Sequence, residues 1–300
     1  MISTKYIIQT NKVNCLRKVV ITLLVVAGFS LRYLVFAEIL SIPSGVRPVS
    51  TGEAFSGMCG DINSINYNPA GLSSIEGKEF YFSHNKYLVG IDYEYMAFSY
   101  SLKDKSVIAG SIIHLYDTQT RYDIAGTEKG SFQNTNSVVS VAFAKRLNEI
   151  LCIGGTLKGI FESYNNNNSQ SVGFDTGVLY LKDKLDNPAD KFGFGFVVQN
   201  INLPVTVRAG VSYKFSNKLF LFDLIKQTDK KNFDLSYGIE WYIKDTFSLR
   251  FGCKTQYGVS NPFNGRAGFG VKLENFDIEY VFLPFGELGN SHQLGFKVKW

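Results

Sequence analysis

The sequence predicts an all-β chain, a transmembrane antiparallel β-barrel of about 14 strands. Three observations predict it. The stretch from Asn290 to Trp300 alternates, with Leu294, Phe296, Val298 and Trp300 on one face of an extended strand and Gln293, Gly295, Lys297 and Lys299 on the other. The same alternation sets Val205, Val207, Ala209, Val211, Tyr213 and Phe215 against Thr206, Arg208, Gly210, Ser212 and Lys214, and it recurs around Phe194, Trp241, Leu249 and Phe269. Beyond residue 37 no apolar run approaches the ~18 residues of a spanning helix, although 15% of the chain is aromatic.

Alternation alone also suits a soluble sandwich, which would turn its large apolar residues inward. Two features favour the barrel. Many polar-face positions are glycine, which weakens a solvated strand but suits a lumen wall that another backbone approaches closely. An aromatic terminal edge strand invites aggregation in a soluble domain, whereas a barrel pairs its last strand with its first and shows the apolar face to lipid.

Taken in chain order, residues 1–18 carry Lys5, Lys12, Arg17 and Lys18 with no acid, and residues 19–31 form an uncharged apolar run. That run is short of the ~20 residues a spanning helix needs, so residues 1–37 read as a signal peptide with a cleavage site before Glu38. Cys15 precedes the apolar run, which argues against a lipoprotein anchor. Losing this leader removes five basic residues (Lys5, Lys12, Arg17, Lys18, Arg32) and leaves 26 basic against 26 acidic, so the net charge of +5 belongs to the leader. Nothing in the charge supports nucleic-acid binding.

Residues 38–78 do not follow the strand pattern. Their Ser, Gly and Asn punctuation allows short helical turns near 51–57 and 62–67. Residues 79–300 form the barrel, with strands expected at 79–87, 90–102, 105–117, 137–147, 150–163, 170–183, 190–199, 205–215, 218–227, 232–243, 246–257, 264–273, 275–282 and 291–300. Tight polar turns at Lys103-Asp104, Asn148-Glu149, Ser216-Asn217, Lys244-Asp245 and Glu274-Asn275 alternate with longer links at 118–136, the Asn-rich Asn165 to Asn168, 258–263 and 283–290. Short periplasmic turns and longer outer loops would produce this alternation, which the link from Lys182 to Asp190 breaks. The seven prolines all stay out of strand interiors.

Several segments resemble known proteins. The terminal strand is similar to the terminal-aromatic assembly signal of bacterial outer-membrane barrels, carried by Leu294, Phe296, Val298 and Trp300. Gly45-Val46-Arg47-Pro48, Gly52-Glu53-Ala54-Phe55, Asp61 and Asn66-Tyr67-Asn68-Pro69-Ala70-Gly71-Leu72 resemble the N-terminal segment of the PorV/PorQ family, a branch of the fatty-acid-transporter-like outer-membrane barrels. Leu203-Pro204-Val205, Gly238-Ile239-Glu240-Trp241-Tyr242 and Leu283-Pro284-Phe285-Gly286 extend the likeness along the chain. The resemblance implies a hatch at residues 38–78 inside the lumen, with Asn68, Pro69, Ala70, Gly71 and Leu72 as its structural and gating motif. It also implies outer-membrane lipid, the barrel assembly machinery, and either a hydrophobic small molecule or a secreted protein as partners. Ser50-Thr51-Gly52 and Met58-Cys59-Gly60 depart from the family pattern, so the hatch is expected to fit differently.

No nucleophile with a base and no pair of carboxylates stands out, so an enzyme is not expected. Gly193-Phe194-Gly195 lies in a strand and lacks the helix of a phosphate loop, and Asp61-Ile62-Asn63 lacks the later ligands of a calcium loop. Cys59, Cys152 and Cys253 are scattered without metal spacing, and His84, His114 and His292 are isolated, so no metal and no cofactor are expected. Two functions remain: a passage barrel for hydrophobic solutes, and a fixed scaffold that docks secreted or surface proteins. The doubly apolar Leu219-Phe220-Leu221-Phe222 and Ile112-Ile113 lean toward a greasy lumen pocket and hence toward passage.

Overall fold

A computed structural model describes residues 38–300 apart from 124, 165–166, 184–189, 256–262 and 287–288. The expected signal peptide lies outside the described residues, as does most of the link from Lys182 to Asp190. The barrel strands are β1 (Lys78–Lys86), β2 (Asp92–Ser101), β3 (Ser106–Tyr122), β4 (Glu128–Arg146), β5 (Leu151–Tyr164), β6 (Asn167–Asp183) and β7 (Lys191–Ile201). They continue as β8 (Thr206–Phe215), β9 (Lys218–Gln227), β10 (Asp234–Ile243), β11 (Phe247–Thr255), β12 (Phe263–Leu273), β13 (Phe276–Pro284) and β14 (Asn290–Lys299).

Each strand pairs antiparallel with its sequence neighbours, and β14 pairs with β1 from Glu79↔Lys299 to Lys86↔His292. The sheet is a closed barrel. Closure leaves no open sheet edge at membrane depth, which a lipid surround requires. Tight turns follow where expected: Ser216 and Glu274 hold positive φ in two-residue hairpin loops, and Lys244 and Asp245 do so in a three-residue loop, as turns that match strand twist demand.

The polar face is the buried one. Arg208, Arg250 and Arg266 face the lumen at 5–6% exposure, while Val141, Phe143, Phe251 and Phe269 face outward at 37–59%. This inversion of an ordinary core excludes the soluble sandwich, because an apolar belt around a charged interior is stable only in lipid. Tyr100, Tyr180, Trp241 and Trp300 ring the outer face beside the tight turns and mark one membrane boundary.

Three expectations need correction. The loop expected over 118–136 is instead a hairpin, with β3 and β4 paired as far as Tyr122↔Glu128 and only residues 123–127 turning. The alternation is invisible there because Thr118, Gln119, Thr120, Ser131 and Gln133 make both faces polar, as suits strands standing clear of lipid. The helical turn expected near 51–57 lies earlier, as α1 (Val46–Ser50), whereas that near 62–67 is a 3₁₀ turn at Ile62–Asn66. Pro284 is the last residue of β13 and not a link residue, opposite Asn290 at the ladder's end.

The facing has a direct test. Phe269→Leu should leave the barrel close to wild type, while Phe269→Arg should cost ~2–4 kcal/mol if the residue lies near mid-bilayer. Urea titration of barrels folded into lipid vesicles measures both, and equal losses for the two variants would contradict the outward placement.

Candidate functional site: the plugged lumen

Among the described residues, 38–76 pack inside the barrel as a plug, against lumen-facing side chains of the strands. Within this plug, α1 packs against β11, β12 and β13, and 3₁₀ turns occur at Glu38–Ser41, Ile62–Asn66 and Pro69–Ser74. Two Asx caps shape it: Asp61 Oδ1 accepts from Asn63 N at 2.9 Å, and Asn68 Oδ1 accepts from Ala70 N at 3.2 Å with Pro69 opening the turn.

Four apolar clusters join plug and wall, two of them larger than the rest. Ile62, Ile65, Leu72 and Ile75 meet Tyr81, Tyr93, Tyr95, Ile113, Val138 and Ile160, and Ala54, Phe55, Met58 and Tyr67 meet Leu219 and Leu221. The doubly apolar runs divide. Leu219 and Leu221 are covered by the plug, Ile113 lies in the lining of a cavity at the loop end of the barrel, and the outward members, Ile112, Phe220 and Phe222, face lipid.

Charge supplies the rest. Asp61 receives Arg47 at 2.9 Å and Lys297 at 3.1 Å, and Arg47 also reaches Glu240 at 2.7 Å. Glu240 in turn holds Arg250 at 2.7 Å, and Arg250 reaches Glu279 at 2.9 Å. On the other side of the plug Glu53 meets Lys254 at 2.6 Å and Arg266 at 2.7 Å, while Arg208 donates to the Glu53 carbonyl and pairs with Asp223 at 3.0 Å. Asp223 also accepts from the backbone N–H groups of Phe55 and Ser56 at 3.2 and 3.1 Å and from Ser56 Oγ at 2.5 Å.

Burial alone would raise the carboxyls of Asp61 and Glu53. For Asp61 the adjacent Lys297 and Arg47 outweigh it and hold the group far below the carboxylate range. For Glu53, Lys254 and Arg266 do the same and lower it to about 2. Both groups stay ionised through neutral and mildly acidic conditions.

The lumen glycines are explained by contact. A Cβ on Gly195 would strike the Ser56 carbonyl, one on Gly193 the Gly57 carbonyl, one on Gly238 Thr51, one on Gly252 the Gly52 backbone and one on Gly177 the Asn68 side chain. The plug backbone lies directly on the wall along this seam. Asn68 Nδ2 donates to the carbonyls of Ser56 at 2.8 Å and Val178 at 3.2 Å, so it joins two plug segments to β6 as well as capping its turn. Pro69 and Ala70 press on Gly154 of β5, Gly71 abuts the Met58 carbonyl, and Leu72 is fully buried. Leu294, Phe296, Val298 and Trp300 lie elsewhere, on the outer face of the closing strand, where Trp300 contacts Phe98.

In the sequence Arg47, Glu53 and Asp61 stood only as motif letters, and their pairing with Glu240, with Lys254 and Arg266, and with Lys297 was not foreseen. The signal was present: ionised residues on lumen-facing positions of strands require counter-charges within reach. The cysteines read as scattered, whereas Cys59 of the plug packs against the cluster that contains Cys152 of β5. Among the described residues no group of three or more His, Cys, Asp or Glu side chains is placed to hold a metal ion.

Among the described residues a cavity opens on each side of the plug. At the loop end one of about 250 Å³ combines Ile39, Ile113, Val138 and Ile225 with Glu53, Lys158, Arg208, Asp234 and Lys254, and Tyr67 stands in its lining. At the turn end one of about 410 Å³ is polar, with Arg47, Lys214, Glu240, Arg250, Glu279 and Lys297.

A closed barrel with a structured plug and an apolar outer belt defines an outer-membrane type of β-barrel. The toluene transporter TodX of P. putida superposes with a TM-score of 0.60 at 10% identity, covering 86% of this chain and 98% of that one. The Ralstonia pickettii toluene transporter TbuX gives 0.57 at 12% identity over 86% and 98%, and a Pseudomonas aeruginosa FadL homologue gives 0.57 at 8% over 86% and 99%. At such identities the likeness establishes the fold. No family model matches the sequence, and no curated protein matches it either.

Removing one partner of a buried pair leaves a charge uncompensated at ~3–5 kcal/mol, so Asp61→Ala, which strands both Arg47 and Lys297, should loosen the plug. Chymotrypsin should then cut after Phe55 and Tyr67 while the strands stay intact, and a plug as resistant as wild type would contradict the assignment. Folded-state values below the usual carboxylate range mean stabilisation that is complete above about pH 5 and lost only as pH falls through the folded values. By calorimetry, melting of the plugged barrel should be flat from about pH 8 to pH 5 and fall below about pH 4. A decline already between about pH 8 and pH 6 would show that Asp61 and Glu53 do not carry this stabilisation.

Proposed function

We propose that this chain is an outer-membrane barrel that admits hydrophobic solutes, with residues 38–76 as the hatch between an outer vestibule of mixed apolar and charged lining and a polar periplasmic exit. The loop-end cavity carries this reading. It is large enough for a small apolar molecule, its walls join Ile39, Leu40 and Ile42 of the plug to Ile113, Val138 and Ile225 of the strands, and Tyr67 lies between it and the buried layer. Solved barrels named as toluene transporters are similar to this chain in fold. Passage requires plug movement, because Phe55, Ile62 and Ile65 are fully buried between the two cavities.

A tritiated or fluorescent apolar solute taken up by cells carrying the protein tests the reading. Ile113→Glu should reduce uptake severalfold while surface yield and heat-modifiability stay normal. Unchanged uptake in that variant, with the barrel folded, would remove the vestibule from the pathway.

The scaffold reading has its own support. β3 through β6 run past their neighbours at the loop end, and beyond Asp92↔Tyr116 the β3 segment has no β2 partner. This projecting polar sheet is where a secreted or surface protein would dock, as the PorV/PorQ resemblance suggests. Shortening the β3–β4 hairpin should leave solute uptake intact under the first reading and abolish partner retention at the surface under the second.

Both readings place the tight turns in the periplasm and the long hairpins outside. In a cysteine-free background, cysteine at Thr127 should react with an impermeant maleimide on intact cells, and cysteine at Asn217 should react only after the envelope is opened. The opposite pattern would invert the barrel.

A further inference from the structure

We infer that Cys59 and Cys152 are a cross-linking site at which a disulfide ties the plug to the barrel wall. Cys59 follows Met58 in the plug, where the Gly60 amide donates to the Gly71 carbonyl at 2.9 Å and so holds this bend against the Asn68–Leu72 turn. Cys152 is the second residue of β5, faces the lumen and is fully buried. The two share one cluster, since Cys59 packs against the group formed by Ala70, Cys152, Leu179 and Leu181. Their approach is set by glycine: Gly154, two residues along the same lumen face, lets Pro69 and Ala70 lie against β5, and any side chain there would push the turn and Cys59 away from the strand.

Cys59 is only partly buried, and the next residue, Gly60, lines the turn-end cavity, so Cys59 is the more accessible of the two thiols, and exchange with a partner protein falls before the plug is fully seated. The Cys59 thiolate attacks the disulfide of an oxidised dithiol-exchange protein, releasing one of its sulfurs as a thiol and forming a mixed disulfide. The Cys152 thiolate then attacks Cys59 Sγ and expels the second sulfur. Two protein thiols have lost two protons and two electrons, and the exchange protein leaves as a dithiol. Cys253 sits apart, on the outward face of β11, and takes no part.

The oxidation rests on the outer-membrane reading, because a disulfide persists only in an oxidising compartment. The site itself rests on the packing alone. The test uses two samples of the full-length protein: one from cells whose thiols are trapped with N-ethylmaleimide before lysis, and one purified, reduced, folded in detergent and then incubated with oxidised glutathione. Mass spectrometry of non-reduced digests should find the Cys59 and Cys152 peptides joined in both, with Cys253 alkylated. Cys59→Ser should leave Cys152 alkylatable once the protein is denatured, and the joined protein should need reductant before chymotrypsin cuts after Phe55. A link that forms in the purified barrel but is absent from trapped cells supports the site and counts against the export reading. Alkylated or singly glutathionylated Cys59 with no link to Cys152 in the folded, purified barrel overturns the site.

Discussion

Everything inside this barrel depends on matching three charges of the plug to the wall. Glu53 and Asp61 are buried and Arg47 nearly so, where an unpaired charge would be prohibitive, and each is met by opposite charges from strands distant in sequence: Lys254 with Arg266, Lys297, and Glu240. Because the attachments fall on both sides of the plug, the segment is fixed in rotation as well as in depth. Much of the charge on the inner wall is then accounted for without a substrate, since Arg250 completes the Glu240 and Glu279 pairs and Arg208 completes Asp223.

Steric fit works with this charge pattern. Lumen glycines on β6, β7, β10 and β11 remove the side chains that would hold the plug off, and the backbone of residues 51–57 settles into the space. Close approach brings carbonyls and amides of the plug within reach of wall side chains such as Asp223, Arg208 and Ser212, which satisfy them. A channel function then requires a local rearrangement, not an open pore. On the vestibule side Glu53 with Lys254 and Arg266 ties the plug, so the segment suited to move is the apolar stretch around Ile39 and Leu40, whose side chains form no ion pair.

Much of the architecture was legible in the sequence because lipid imposes period two on every strand that crosses it. Phe192 to Val198 and Val205 to Phe215 declare themselves for this reason, and the structure pairs them as β7 and β8. Legibility fails where lipid stops. Residues 118–122 and 128–136 are strands whose two faces are both wet, so hydrophobic alternation carries no information there. The plug was legible as an irregular segment but not as a set of contacts, since Lys297 and Asp61 meet across 236 residues. Asn68 was visible as a turn former, while its bond to the Val178 carbonyl was not. Glycine on the polar face was the one sequence feature that reported on the plug's approach, through what it left out.

The account stands on the plug being docked in the lumen as part of the folded barrel. Hydrogen–deuterium exchange on the protein in lipid vesicles measures this directly. The amides of residues 54–72 should be protected to the level of the central barrel strands, with Phe55 and Ser56 among the slowest because Asp223 holds both. Exchange of that segment as fast as the exposed turn at residues 123–127 would contradict the account.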